Sequence, residues 1–267
     1  MRAVNLSSGS DGNLTYIESE NAKILVDIGL SCKETEKRLA LLGVSGDQID
    51  AILITHEHSD HIKGLDVFAS KFKTKVYAHV DGWNAINNKI SRLESTQKWS
   101  FSECPFTIKD ITATAFKVPH DSSCCVGYSF TCGSHKISIA TDLGKIDENV
   151  LKQLSGSQLV YLESNHNVDM LKNNPNYTAM LKNRIFSSRG HLSNLESAKA
   201  ISYLAQNGVK QVVLSHLSKE NNRPDLAYTE VCNYLRNLGI QEGVNIKIDV
   251  ATTEPGKIFK ISKRLSK

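Results

Sequence analysis

Four side chains with metal-binding chemistry lie within six residues of this chain, in the segment HEHSDH at 56–61. They are His56, His58, Asp60 and His61, whose imidazole nitrogens and carboxylate oxygens are common ligands of divalent ions. The apolar stretch DAILIT before the segment predicts a buried strand, and residues 62–72 after it predict a helix. The segment is therefore expected in a loop between two rigid elements, as a metal site requires.

Three more residues of ligand type each follow a predicted strand: His120 after 111–118, Asp142 after 135–141, and His216 after 210–215. Together the candidates number five histidines and two aspartates, which is too many for one ion and suits two. We expect one ion on His56, His58 and His120, a second on Asp60, His61 and His216, and Asp142 between them. Two ions about 3.5–4 Å apart lower the pKa of a bridging water, which then attacks in line. We count Asp60 as catalytic, because its loss should abolish hydrolysis.

The elements that position these ligands begin as three strands, at 1–6, 13–19 and 23–28, joined by short polar turns that indicate antiparallel hairpins. Later strands alternate with helices, and two final strands are expected near 244–249 and 257–262. The chain has no internal repeat, low-complexity linker or block of charge. This order predicts one mixed α/β domain over residues 1–267, with sheets inside and helices outside.

Composition is ordinary for a globular protein, with 40% hydrophobic and 22% charged residues and a net charge of +4, which permits an acidic ligand without demonstrating one. The start of the chain lacks a basic stretch followed by an apolar run, and no stretch approaches the ~20 apolar residues of a membrane span. We therefore expect a cytoplasmic protein with no membrane partner.

The six cysteines form no CxxC pair, and we expect them to be reduced, mostly buried and apolar in role. We expect His79 and His135 to be ordinary surface or turn residues.

Several residues around the ligands could support the chemistry. Asp27 closes the apolar strand KILVDIG and could orient a metal-binding histidine or cap a turn. The turn SSGSDG could cradle an anion through its backbone N–H groups or be a plain turn. His191 precedes a helix opened by a Ser193/Glu196 capping box, where free N–H groups favour phosphate. It could neutralise a phosphate oxygen or protonate a leaving oxygen, which makes it a second catalytic candidate, or it could have no role.

The residues THEHSDH at 55–61, His120, the Thr–Asp pair at 141–142 and the Ser–His pair at 215–216 resemble the motifs of the metallo-β-lactamase superfamily, and Asp27 matches its first motif. The resemblance implies an α/β fold, the four-layer αββα sandwich, with a dinuclear site at the edge between two sheets. The lactamase branch itself is exported and uses a cysteine ligand. For this chain no export signal is expected, and residue 142 is aspartate.

Three features are similar to the nucleic-acid phosphodiesterase branch that contains ribonuclease Z and the WalJ/YycJ type: SGSDGN at 8–13, ESNH at 163–166 and GHLSN at 190–194. The resemblance implies 5′-to-3′ exonuclease activity on DNA with two divalent ions, Zn²⁺ or Mn²⁺ or else iron. The substrate-binding candidates are Ser8, Ser10, Asn13, His191 and Asn194. The residues expected behind the ligands are Asp27, Glu163 and His166, of which His166 could also be without a role.

Two other functions stay open on the sequence. The segment between Asp142 and His216 has no room for a β-CASP domain, and no long exosite arm is evident, so a small-molecule hydrolase acting on a cyclic phosphodiester, thioester or lactone also fits. A metal-binding regulatory protein linked to cell-wall signalling is the third hypothesis. Protein partners are not predicted by any feature of the sequence.

Overall fold

The computed structural model describes residues 1–261. The chain divides into two compact units, each described here by itself. Unit 1 contains residues 1–115, 122–135 and the described residues from Thr253, and unit 2 contains 116–121 and 136–252. The single domain expected from the sequence stays a prediction.

Unit 1 holds a seven-stranded mixed sheet. Its strands in chain order are β1 (Arg2–Ser7), β2 (Leu14–Glu18), β3 (Lys23–Val26), β4 (Ala51–Leu53), β5 (Lys75–His79), β6 (Lys98–Phe101) and β14 (Phe259–Lys260), and the spatial order is β14-β1-β2-β3-β4-β5-β6. The first three strands are antiparallel hairpins, as predicted, whereas β3 to β6 run parallel. The carboxyl ends of β3, β4 and β5 therefore meet at one edge of the sheet. The strand predicted at 257–262 is shorter, and its last residue lies outside the described residues.

The helices of unit 1 are α1 (Cys32–Ala40), α2 (Ser59–Ile62), α3 (Leu65–Phe72) and α4 (Trp83–Asn87). The helix predicted at 62–72 is interrupted before Leu65. Gly64 lies against the loop that follows β3: its N–H donates to the Ile28 carbonyl at 2.9 Å, and an added Cβ would lie 2.1 Å from the Leu30 carbonyl oxygen. The close backbone contact at Gly64 therefore accompanies the break between α2 and α3.

The apolar core of unit 1 lies between this sheet and its helices. Tyr16, Leu25, Ile52 and Phe68 are fully buried members of one hydrophobic cluster. Because β4 is buried along its whole length and β3 is buried after Lys23, the loops that follow them start from fixed backbone positions. These loops carry Asp27 and the HEHSDH segment.

The second sheet also has seven strands, and those of unit 2 lie in the order β13-β12-β11-β10. Its strands are β7 (Phe106–Ile108), β8 (Ile111–Lys117), β9 (Val126–Cys132), β10 (His135–Ala140), β11 (Leu159–Glu163), β12 (Gln211–Ser215) and β13 (Lys247–Val250). Strands β10 to β13 run parallel, with Ile139, Tyr161, Val213 and Asp249 in register across the sheet. The carboxyl ends of β10, β11 and β12 therefore lie side by side.

Unit 2 contains the helices α5 (Glu148–Leu154), α6 (Val168–Asn173), α7 (Ala179–Phe186), α8 (Asn194–Gln206) and α9 (Pro224–Asn237). The capping box predicted for α8 is confirmed, since Ser193 accepts from the Glu196 N–H and the Glu196 carboxylate accepts from the Ser193 N–H. The sequence did not predict α5, which begins at an Asp147 cap. Within residues 1–261 every helix is too short or too polar to cross a bilayer.

Candidate metal centre

The HEHSDH segment brings three imidazole rings together at the carboxyl end of β4. The ring centroids of His56 and His58 are 4.6 Å apart, and those of His56 and His61 are 4.1 Å apart. His56 and His61 are buried, whereas His58 and Asp60 are half-buried. Nitrogen and carboxylate donors are therefore concentrated in one loop, as a divalent-ion site in unit 1 needs.

Asp27 lies behind this loop, where the sequence places it. Its Oδ2 is 2.8 Å from the Nδ1 of His61 and accepts from the Thr55 hydroxyl at 2.9 Å, while Oδ1 accepts from the Thr55 N–H at 2.8 Å. With Nδ1 engaged by a carboxylate, Nε2 of His61 is the nitrogen that a metal would take. Burial raises the pKa of Asp27, against the opposing effects of His61 and Thr55.

Asn13 also contacts the ligands, although the sequence suggested a contact with substrate. Its Nδ2 is 3.3 Å from Asp60 Oδ2 and 3.1 Å from His61 Nε2, and its backbone N–H donates to the Asp60 carbonyl at 2.8 Å. Its Oδ1 accepts from the Gly9 N–H at 3.0 Å, so that the same side-chain amide also stabilises the turn between β1 and β2. Of the two serines in the turn, Ser8 is buried and Ser10 is exposed. Asn13 therefore positions Asp60 and His61, and the roles of Ser8 and Ser10 stay predictions.

In unit 2, Glu163 is the centre of a second cluster. Its Oε1 lies 2.8 Å from His191 Nδ1 and 2.9 Å from His216 Nδ1, and its Oε2 accepts from the N–H groups of Leu143 at 3.0 Å and Leu192 at 3.1 Å. Burial of this side chain acts to raise its pKa. The charge and hydrogen bonds of His191 and His216 outweigh burial and hold the pKa of Glu163 below its usual range.

Asp142 and His216 lie beside this carboxylate because they follow the neighbouring strands β10 and β12. Asp142 Oδ1 is 3.3 Å from His216 Nδ1 and 4.0 Å from His120 Nε2. Ligand atoms of Asp142, Glu163, His191 and His216 all lie within 4.8 Å of one another. The three ligands predicted for this part of the chain are thus gathered at one edge, together with two further donors.

The loop that carries His120 is fixed by two basic residues. Arg189 Nε donates to the His120 carbonyl oxygen at 3.0 Å, and Arg184 pairs with the Asp121 carboxylate. His120 Nδ1 is 3.3 Å from the Gly190 carbonyl oxygen. Burial lowers the pKa of His120, which keeps the ring neutral as a ligand must be.

Three site residues share an uncommon backbone conformation. Asp27, Asp142 and His216 have φ values of 60°, 60° and 56°, in the left-handed region that side chains with a Cβ seldom adopt. Each follows the last residues of a parallel strand. The left-handed turn redirects the chain there, and such strain is typical of functional sites.

His191 and His166 differ in their surroundings. His191 lies two residues before Ser193, the N-cap of α8, with 22% of its side chain exposed. Burial lowers its pKa, but the contact with Glu163 outweighs burial and raises the pKa above the usual value. His166 is buried, and within residues 1–261 neither ring nitrogen has a hydrogen-bond partner; burial lowers its pKa to about 4. Asn194, proposed to contact substrate, is buried and accepts from the Ser164 hydroxyl at 2.7 Å.

Sequence reasoning missed Thr55 and the double contact of Glu163. The Thr55 hydroxyl is 3.0 Å from His56 Nδ1 and 3.2 Å from His61 Nδ1, so that one side chain contacts two candidate ligands. Its position directly before His56 was a usable signal. The contact of Glu163 with His216 joins residues 53 positions apart and has no local signal. In both clusters the donor types and the carboxylates behind the histidines fit divalent metal ions.

Residues 22–217 match the family described as the beta-lactamase superfamily domain. The chain belongs to this family. It is 36% identical over 257 residues to exodeoxyribonuclease YycJ of Bacillus anthracis, covering 96% of each chain, and 37% identical over 246 residues to exodeoxyribonuclease WalJ of Streptococcus pneumoniae, covering 91% of each. The prediction of a metallo-β-lactamase-fold hydrolase of the WalJ/YycJ type is confirmed.

The fold class is confirmed by solved structures. The metallo-β-lactamase-fold protein YhfI from Bacillus subtilis superposes with a TM-score of 0.73 over 97% of this chain and 100% of that one, at 18% identity. At this low identity, the superposition is evidence for the fold alone.

Proposed function

We propose that this hydrolase cleaves phosphodiester bonds in nucleic acid as a 5′-to-3′ DNA exonuclease that depends on divalent metal ions. One observation carries the proposal: relatives at 36–37% identity over more than nine-tenths of the chain are named exodeoxyribonucleases. The donor-rich clusters of both units are consistent with such an activity. Because DNA would be the substrate, the proposal includes a cytoplasmic location.

The proposed cofactors are two ions, of zinc or manganese or else iron, because mixed histidine and carboxylate sets accept all three. The proposed ligands are the seven residues identified from the sequence: His56, His58, Asp60, His61, His120, Asp142 and His216. When bound, the ions supply Lewis acidity toward water and phosphate oxygens. The remaining chemistry falls to side chains of the chain itself.

Hydrolysis adds the hydroxyl of water to phosphorus, breaks one P–O bond and delivers a proton to the leaving oxygen. His191 suits this last step, because it is partly exposed and Glu163 raises its pKa toward the range of a general acid at neutral pH. Its Nδ1 is engaged by Glu163, so Nε2 is the nitrogen that would face substrate. The charged ring would also offset negative charge on a phosphate oxygen.

The test uses duplex DNA labelled at the 5′ end or the 3′ end, RNA and bis-p-nitrophenyl phosphate, each with Mn²⁺ or Zn²⁺. The wild-type chain should release nucleotides stepwise from 5′ ends. His58→Ala and Asp60→Ala should reduce the rate at least about 100-fold with the fold retained, since each removes a ligand. Ser59→Ala is the matched control, because Ser59 is exposed in the same segment and is not a proposed ligand.

Three outcomes would overturn parts of the proposal. Cleavage of the small ester alone would replace nucleic acid with a small-molecule substrate, and cleavage of no substrate would favour a regulatory role. Full activity of metal-loaded Asp60→Ala would remove Asp60 from the chemistry.

A further inference from the structure

A second group of metal-binding side chains lies in unit 1, formed by residues that the sequence left without a role. His79 ends β5, Asp81 follows in the next turn, and Cys124 comes from the loop before β9. The Sγ of Cys124 is 3.2 Å from His79 Nδ1, and Asp81 Oδ2 is 3.5 Å from the same nitrogen. The three ligand atoms lie within 4.8 Å of one another. None of these residues is a proposed ligand of the hydrolytic ions.

Two of these separations are close to those expected around a small tetrahedral ion. Sulfur, nitrogen and oxygen bound to one Zn²⁺ at 2.0–2.3 Å lie about 3.3–3.6 Å from each other. The distances of 3.2 Å and 3.5 Å around His79 Nδ1 need little adjustment to reach these values. A cysteine, a histidine and an aspartate also form a donor set that Zn²⁺ and Co²⁺ accept.

The polarity of the cluster also favours a cation. The N–H of Asp81 donates to His79 Nδ1 at 3.2 Å, which requires a lone pair on that nitrogen. Because His79 Nδ1 carries a lone pair, the Asp81 carboxylate oxygen 3.5 Å away faces another electron-rich atom. A cation at this position would bind the nitrogen, the carboxylate and a Cys124 thiolate together, replacing the backbone hydrogen bond to Nδ1.

The fold holds the group in place while leaving an entrance. The N–H of Gly82 donates to the His79 carbonyl at 2.9 Å, closing a tight turn that folds Asp81 back over the histidine. His79 and Cys124 are buried, contrary to the surface position expected for His79, and the Asp81 side chain is 57% exposed. Solvent can therefore reach the open coordination position on the Asp81 side.

We infer that His79, Asp81 and Cys124 bind one divalent cation of the zinc class, with water as the fourth ligand. The inference is independent of the proposed nuclease activity, because it concerns different residues. It assigns to Cys124 a ligand role in place of the apolar role expected from the sequence.

Cobalt provides a test, because a thiolate bound to Co²⁺ produces a charge-transfer band in the near ultraviolet. The proposed hydrolytic ligands contain no sulfur, so a thiolate band reports a cysteine. The full chain, freed of metal and titrated with Co²⁺, should develop this band. Cys124→Ser should lose the band and bind one Co²⁺ fewer, whereas the neighbouring Cys125→Ser should keep both.

A further variant avoids the buried positions. Asp81→Asn changes an exposed side chain and should weaken cobalt binding, read from the band, at least about tenfold. The inference is overturned if the wild-type chain shows no thiolate band at saturating Co²⁺, if the band survives in Cys124→Ser, or if Asp81→Asn binds as tightly as the wild type. Circular dichroism of each variant establishes that it is folded.

Discussion

Replacement of Glu163 by glutamine tests how the second cluster is held together. The carboxylate is fully buried and accepts from four donors: the Nδ1 groups of two histidines at Oε1 and two backbone N–H groups at Oε2. Glutamine keeps the shape but replaces one oxygen with an NH₂ group, which cannot accept. Whichever way the amide is turned, the NH₂ group meets two former donors.

The two orientations differ in free energy. With NH₂ toward Leu143 and Leu192, two buried backbone donors lose their acceptor, at about 1–3 kcal/mol each. With NH₂ toward His191 and His216, the rings can move their protons from Nδ1 to Nε2 and accept instead. The second orientation is therefore favoured, and all four charge-assisted bonds of the carboxylate become neutral ones. At about 1.5–3 against 0.5–1.5 kcal/mol per bond, the folded state loses about 4–6 kcal/mol.

This orientation also affects metal binding. A proton on Nε2 of His216 occupies the nitrogen that the proposed metal would take, so we expect metal affinity to fall about 10- to 100-fold. Urea denaturation measures the stability of the metal-free variant, and competition with a chelator measures its affinity. Glu57→Gln is the matched control, because Glu57 accepts from the Ser123 N–H at 2.8 Å and an amide oxygen can keep that bond. With one charge-assisted bond made neutral, it should cost about 1–1.5 kcal/mol.

The reasoning is refuted if Glu163→Gln matches Glu57→Gln in both stability and metal affinity. A loss of stability with unchanged affinity would show that Glu163 braces the fold without setting the tautomer of His216.

Two further predictions concern stability. An alanine Cβ at Gly29 would lie 1.7 Å from the Asp60 carbonyl oxygen, so Gly29→Ala should destabilise the fold by about 3 kcal/mol or more. The control Gly133→Ala has open space around the added Cβ and should cost about 1–2 kcal/mol. Equal urea midpoints for the two variants would contradict this prediction. His166 has a pKa of about 4 in the fold against 6.5 in the unfolded chain, so the unfolded state binds more protons and stability falls as pH drops below about 6.5. Between pH 7 and 5 the wild type should lose about 2 kcal/mol more than His166→Gln, and parallel pH profiles would show that the histidine is not buried neutral.

The positions of the proposed ligands near strand ends were predictable because each depends on local sequence. An apolar strand followed within three residues by histidine or aspartate places that residue at a strand end, as His56, Asp142 and His216 show. The capping box of α8 is local in the same way. By contrast, α5 was missed although its Asp147 cap was visible, because seven residues give little periodicity.

The contacts that hold the candidate ligands in position could not be predicted from the sequence. The shared contact of Glu163 exists because β10, β11 and β12 are neighbours in parallel register, which brings residues from three distant segments to one edge. The pairing of His79 with Cys124 likewise joins segments 45 residues apart. Pattern and spacing specify the elements, but these contacts depend on which strands become neighbours.

In each unit a buried carboxylate engages Nδ1 of a candidate metal-binding histidine, but the consequences differ. In unit 1 the carboxylate of Asp27 engages Nδ1 of one histidine, His61, and the remaining contacts come from Thr55, which carries no charge. In unit 2, one oxygen of Glu163 serves both His216, a proposed ligand, and His191, a proposed acid. When His191 gains a proton, it interacts more strongly with the same Glu163 oxygen that makes the His216 ring a stronger metal ligand. If His216 binds a metal as proposed, that binding and the protonation of His191 would be thermodynamically linked, and each would weaken the other by the same factor.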